Sequence, residues 1–341
     1  MTPTVLFVRH ALIAIALVVL ALALWRIAYA LLLAFGGLLL AVLLRGLART
    51  VARRTPLGMR ASLISVGVIV LAALAALIAF AGPAIADQAG ELVQALPQGM
   101  QRVREDLQRS HWGRLIVELA TQGVQDGGNI LGAVQHVVLG SFDAIAGLVL
   151  VLFAGIYFAA TPEVYSEGLV SLFPRPRHAR VRQVLEATHE ALWQWLIGQL
   201  VLMAIVGTLA AVGLFLIGVP LALVLGLIAG LLEFIPFVGP ILAAVPILLV
   251  ALTAGAETAL YAGILFLAIQ QVENHLLVPL VQRVAVNLPP VLVLVGTIGF
   301  VLIFGVLGAI FATPLLVVAV VWVKMLYMQD TLREDVPVRT G

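Results

Sequence analysis

Two apolar stretches, residues 219–254 and 287–323, set the tightest limit on how this chain can fold. Each is longer than the roughly 20 residues that take a helix across a hydrocarbon core. Each also has helix breakers near its middle, Pro236 to Pro240 in the first and Gly305 to Gly308 in the second. Neither can be a plain span. Two topologies remain: a single crossing broken in the middle, or a re-entrant hairpin with its tip at the breakers. Hairpins are the preferred reading, since they put Arg283 on the cytoplasmic side and leave Pro220 and Pro289 on opposite faces.

Shorter apolar runs fill much of the remaining sequence, at 11–25, 27–44, 61–83, 138–160, 196–217 and 258–281. That gives about eight hydrophobic segments and predicts an all-α polytopic membrane protein. Composition points the same way, with 63% of 341 residues apolar, 11% charged and a mean hydropathy of +1.16. A soluble domain carries about 25% charged residues, so no water-facing shell can be built here. Cysteine is absent, which excludes disulfides and thiolate metal sites. Arg9, the apolar run after it and Ala28-Tyr29-Ala30 imitate a signal peptide. A second run, Leu31 to Leu44, follows at once, so a helical hairpin turning at Arg26 is expected instead.

Arginine placement orients the chain. Arg45, Arg49, Arg53, Arg54 and Arg60 crowd one loop, and Arg175, Arg177, Arg180 and Arg182 crowd another, so both loops are expected in the cytoplasm. The termini then lie inside and residues 84–137 outside. The expected organisation is a three-span region at 1–83, an extracytoplasmic insertion at 84–137, and a fourth span with a cytoplasmic linker at 138–195. A transport core at 196–323 and a cytoplasmic tail at 324–341 complete it. The insertion reads as a pair of amphipathic helices, the second ending at Gly127-Gly128. In the linker, Pro162, Pro174 and Pro176 break the chain before a helix that enters the membrane, with Trp193 and Trp195 expected at the interface. The arginines sit at span ends with no basic domain behind them, which argues against nucleic-acid binding.

The carboxyl-terminal half contains an internal repeat. An offset of 69 residues lays GVPLALVLGLIAG over NLPPVLVLVGTIG, so Pro220 meets Pro289, Gly230 meets Gly299 and Gly239 meets Gly308, and FVGPILAAVPILLVA continues over VLGAIFATPLLVVA with one residue skipped. Coincident Pro and Gly positions are harder to obtain by chance than apolar ones. Inverted repeats with broken helices near the midplane recur in secondary transporters, where unwound ends expose backbone dipoles to solute or ion.

Two acids lie deep in apolar sequence, Glu233 in LLEFIPFVGPIL and Glu273 in QQVENHLLVP. An acid within a membrane segment is costly and is a functional candidate. At 100° per residue, Gln270, Gln271, Glu273, Asn274 and His275 spread over about half a helix circumference, an arc that should not face lipid. The amides suit interhelical hydrogen bonds worth about 1–2 kcal/mol each. Glu273 is the stronger candidate for moving protons, since a neutral amide would serve a structural role without risk of charge. Glu233, three residues before Pro236, suits a structural bond to the broken segment equally well.

The runs EFIPFVGP at 233–240, QQVENHLLVP at 270–279, Pro289, GVLGAIFATPLL at 305–316 and Ile197-Gly198-Gln199 together resemble the autoinducer-2 exporter (AI-2E) family of bacterial permeases. The resemblance covers nearly the whole chain. It implies an inner-membrane homo-oligomer that transports without an ATPase; members have been linked to autoinducer-2 export and others to sodium–proton exchange. Glu233, Pro236, Gly239, Pro240, Gln270, Glu273, Asn274 and Pro279 are the matching positions, and His275 is outside the family pattern. No GxxxxGK[ST] loop and no HExxH occur, and His189-Glu190 lacks the second histidine. An enzyme is not expected. No cofactor is expected beyond a coupling H+ or Na+.

The leading expectation is a secondary exporter of a small polar solute, with Glu233, Pro236, Gly239, Pro240, Gln270, Glu273 and Asn274 lining its pathway. A cation–proton antiporter is one alternative, a channel-like or structural oligomer another.

Overall fold

The computed structural model describes residues 3–108, 141–281 and 288–332, and all regular structure among them is helical. The chain opens with two very long helices, α1 (Pro3–Arg54) and α2 (Met59–Gln108). Next come α3 (Ser141–Ala160), the short α4 (Pro162–Ser171) and the long α5 (His178–Ile217). The carboxyl-terminal half contains α6 (Ala222–Leu232), α7 (Val238–Ala254), α8 (Ala256–Val272), α9 (Val278–Val281) and α10 (Pro290–Trp322).

Among the described residues, Ile27–Arg54, Arg175–Ile217 and Pro290–Gln329 are long and apolar enough to cross a membrane. A fourth crossing appears if α3 and α4, bent by 84° at their junction, count as one. Met59–Ala73, Ala222–Leu232 and Val238–Ala254 are apolar but shorter, so length alone does not make each of the eight apolar segments a crossing. The protein is a membrane protein, helical throughout the regular structure of its described residues.

Two local expectations change. No turn occurs at Arg26: α1 runs straight through it. The surrounding Leu- and Ala-rich sequence holds no Gly or Pro, and one arginine does not outweigh such strong helix formers. Likewise α2 does not stop at residue 83 but continues through Pro83 and Pro97 to Gln108. Its continuation is packed: Leu92 joins a core cluster with Val206, Leu225 and Ile247, and Gln88 Oε1 accepts the Val224 N–H at 3.2 Å. That contact satisfies one of the orphan donors in the first turn of α6. The second amphipathic helix and its Gly127-Gly128 end lie outside the described residues.

Small residues set the helix spacing where water cannot drive association. On α5, Gly207 and Ala211 meet Gly230 and Gly226 of α6 backbone to backbone. On α1, Gly37 meets Ala154 of α3, and Leu40 lies over Gly155. Larger side chains fill the remainder, with Leu192, Trp195 and Leu196 of α5 packed against Val317 and Val321 of α10.

Both long apolar stretches turn back on themselves. Between α6 and α7 the chain makes a tight turn over Phe234–Phe237, closed by Ile235 N–H to Leu232 O at 2.9 Å and Gly239 N–H to Ile235 O at 2.8 Å. Pro236 lacks the N–H that a continuing helix would need. A Cβ on Gly239 would overlap the Leu232 carbonyl, so only glycine lets the two arms meet there. In α10 the break is at Gly305, with φ 62° and ψ −143°, backbone angles that favour glycine. Beyond it Gly308 abuts the Phe300 carbonyl, and Gly296 lies against Leu316. Residues 20 apart in a straight helix would be about 30 Å apart; the two halves of α10 instead lie side by side.

Candidate functional site

The turn between α6 and α7, the end of α8 and both arms of α10 enclose a cavity of about 560 Å³ on one side of α5. Its walls are mainly apolar, with a few converging polar groups, the composition usual for small-molecule sites. Phe266 of α8 and Val293 of α10 supply apolar wall, and Thr313 of α10 also lines the space.

Of the residues expected on the pathway, Glu233, Pro236, Pro240, Gln270, Glu273 and Asn274 all line this cavity. Gly239 does not line it; it stands behind, against Leu232, where it holds the turn closed. Glu233 caps the end of α6 and is 3% exposed, and Glu273 is 6% exposed. Their carboxyl groups lie within reach of each other and of the Gln270 amide. Even so, Oε2 of Glu273 and Nε2 of Gln270 have no hydrogen-bond partner among the described residues. Buried polar atoms are nearly always bonded, and these two are exceptions among the described residues.

Glu273 continues the α8 face of Phe266, Leu267 and Gln270 that lines the cavity, and a local irregularity begins at it. The backbone over Glu273–Leu277 is π-helical, with Val278 N–H bonded to Glu273 O five residues back. Pro279 follows directly, and a proline ring collides with the carbonyl four residues before it unless the helix widens. Such π turns concentrate at functional sites. Helical spacing splits the wide polar arc. Gln270, Glu273 and Asn274 line the cavity, whereas Gln271 and His275 are exposed outside its lining, with His275 Nδ1–H donating to Gln271 O at 3.0 Å.

Gln199 was visible in the sequence only as part of the Ile197-Gly198-Gln199 motif, and the structure gives it a definite place. It is 3% exposed, and its Nε2 donates to the main-chain oxygen of Glu233 at 2.6 Å. Trp195, expected at the interface, is instead buried in the cavity wall, its ring edge-on to Phe234 with centroids 5.6 Å apart. Trp193 lies over Gly46 of α1. The positive φ of Phe237, 65°, is uncommon for a non-glycine residue. Such strain persists where surrounding structure holds it, often at ligand sites. Thr313 Oγ1 and Thr297 Oγ1 are buried without partners among the described residues. Neither gave a sequence signal, since threonine is ordinary in membrane helices. No group of three or more His, Asp or Glu able to hold a metal occurs among the described residues.

A family profile described as "AI-2E family transporter" matches residues 12–328. The chain is similar to "Putative transport protein YueF" of Bacillus subtilis, 26% identical over 74% of this chain and 73% of the relative. It is 29% identical to "Putative transport protein YrrI" of the same organism, over 55% of this chain and 53% of that one. Likeness to "Putative transport protein MT0215" of Mycobacterium tuberculosis is 32% over 50% of this chain and 47% of the relative.

Proposed function

Because the chain belongs to the AI-2E family of transporters, we propose that it is a secondary transporter whose solute and coupling ion meet in the cavity between the two folded-back stretches. The observation that supports this most is the placement of Glu233, Glu273 and Gln270 together on one wall. Two carboxyl groups this close repel when both are charged. A proton or a monovalent cation bound between them relieves that repulsion, and its loss restores it. Occupancy at the pair therefore changes how readily a polar solute is held beside it.

A cavity of about 560 Å³ suits a small polar solute such as autoinducer-2, within the usual range of roughly 300–1,000 Å³ for ligand sites. Asn274, on the cavity lining, offers it hydrogen bonds. The two stretches act as an inverted repeat, an arrangement supported by the matching closures at Gly239 and Gly308 and by the recurrence of such repeats in alternating access. The protein works as a homo-oligomer in the bacterial inner membrane, both termini in the cytoplasm, moving solute outward.

The test is flux in proteoliposomes. Glu273→Gln is expected to abolish proton-gradient-driven solute movement while the purified protein keeps its size-exclusion profile; undiminished flux refutes the coupling role. A second reading, sodium–proton antiport, is favoured by the clustering of hard oxygen donors from two carboxyls and an amide. Sodium-evoked dequenching of a pH dye in liposomes lacking organic solute would select it over the first. A channel-like oligomer would show flux linear in solute and indifferent to both glutamates.

A further inference from the structure

Helix α4 leaves α3 at 84°, so it runs nearly at right angles to the apolar shaft of α3. A chain that turns this sharply at the end of a membrane helix enters the interface plane. The distribution of side chains around α4 is unusual for a helix on a protein surface. At 100° per residue, Tyr165, Leu169 and Leu172 fall within an arc of about 60°, and they are 41%, 47% and 77% exposed. Glu163, Glu167 and the buried Val170 lie on the opposite side.

The acidic side is accounted for by the protein itself. Arg182 of α5 grips Glu167 with two bonds, Nε to Oε1 at 3.1 Å and Nη2 to Oε2 at 2.8 Å. Arg45 of α1 stands 3.9 Å from Glu163 and donates to the Ala159 carbonyl at 2.9 Å. These contacts fix how α4 is rolled about its axis, leaving its apolar side free.

That apolar side turns back toward α3. Tyr165 folds back to meet Phe158 edge-on, ring centroids 4.6 Å apart, and Phe158 lies on α3 before the bend. The arc holding Tyr165, Leu169 and Leu172 therefore points back along the shaft of α3. Directly after it, Pro174-Arg175-Pro176-Arg177 presents two exposed arginines that have no acidic partner among the described residues. Arg53, Arg54 and Arg60, also exposed, lie at the α1–α2 turn just beyond Arg45, on the same side of the protein.

We propose that α4 and the Arg175–Arg177 turn form an interfacial anchor that seats on anionic phospholipid, with Tyr165, Leu169 and Leu172 among the upper acyl chains and the two arginines on headgroup phosphates. An apolar face flanked by arginines is the composition that binds an anionic leaflet. Each arginine near such a surface strengthens attachment by roughly 5-fold. Arg182 ties this anchor to α5, the helix that carries Trp195 and Gln199 in the cavity wall.

The cysteine-free chain allows a direct test with an environment-sensitive fluorophore on single cysteines, in nanodiscs of mixed phosphatidylcholine and phosphatidylglycerol. Labels at Leu169→Cys and Leu172→Cys are expected to emit blue-shifted relative to Ser171→Cys, on the opposite side of the helix. Doxyl-labelled phosphatidylglycerol is expected to quench the Leu172→Cys label several-fold more than doxyl-labelled phosphatidylcholine. In the Arg175→Gln/Arg177→Gln background that preference is expected to vanish while the blue shift remains. Labels at 169 and 172 that emit like the one at 171 overturn the seating, and equal quenching by the two lipids before the arginines are changed overturns the headgroup preference.

Discussion

Replacing Gln199 with leucine tests whether the cavity is held together by the bond that this side chain makes. Its Nε2 donates to the Glu233 carbonyl at 2.6 Å, and both residues are buried. That carbonyl belongs to the end of α6, where the last carbonyls have no partner within the helix. Leucine keeps most of the volume but removes the donor, leaving a buried oxygen unsatisfied at a cost of about 1–3 kcal/mol. Unfolding entropy scales with chain length, so for a chain of this size each kcal/mol moves the midpoint by about 1–2 °C. Gln199→Leu is therefore expected to melt about 1–6 °C below wild type, followed by intrinsic tryptophan fluorescence in detergent during a thermal ramp. Gln194→Leu is the control: Gln194 bonds only to Glu190 one turn earlier on the same helix, at 2.9 Å, a pair worth about 0.2–0.5 kcal/mol. Its midpoint should move by less than about 1 °C. Because the Glu233 carboxyl hangs from the same residue, Gln199→Leu should also lose flux at temperatures where it stays folded. Equal melting of the two variants would refute the reasoning.

Gly239→Ala and Gly308→Ala each drive a methyl into a backbone carbonyl, of Leu232 and Phe300 respectively. Each is expected to cost about 1–3 kcal/mol and to lower the melting midpoint, whereas Gly299→Ala, with open space around it, should leave the midpoint unchanged. Arg180 of α5 donates to the Met325 carbonyl at 2.9 Å and to Gln329 at 2.8 Å, and pairs with Asp330 at 2.8 Å. Arg180→Ala should free the π-helical segment that follows α10, seen as faster trypsin cleavage at Lys324, with wild-type kinetics counting against the latch.

Much of the fold was legible because lipid imposes strong local rules. The breakers at Pro236 and Gly305 marked where the long stretches bend, and both stretches do fold back there. The depth of Glu233 and Glu273 in apolar sequence was enough to single them out. What failed locally failed for identifiable reasons: Arg26 looked like a turn because it is charged, yet nothing around it stops a helix. The apolar run ends at residue 83, yet Leu92 and Gln88 gain partners on α5, α6 and α7 because α2 continues. Trp195 looked interfacial by residue type, and was drawn inward by Phe234.

The sequence by itself determined that this chain lives in a membrane, that it is helical, and that two glutamates are its costliest residues, because burial of charge and loss of helix hydrogen bonds are penalties written residue by residue. Only the tertiary structure decided that Glu233 and Glu273 share one wall with Gln270, that Gln199 steadies Glu233 from α5, and that Thr313 completes the cavity. It also decided which side of the polar arc faces the cavity, Gln270, Glu273 and Asn274 lining it and His275 lying outside. These relations join elements far apart along the chain. They arise from how turns, close backbone contacts and a widened helical turn set rotation and depth, and no spacing in the sequence records those.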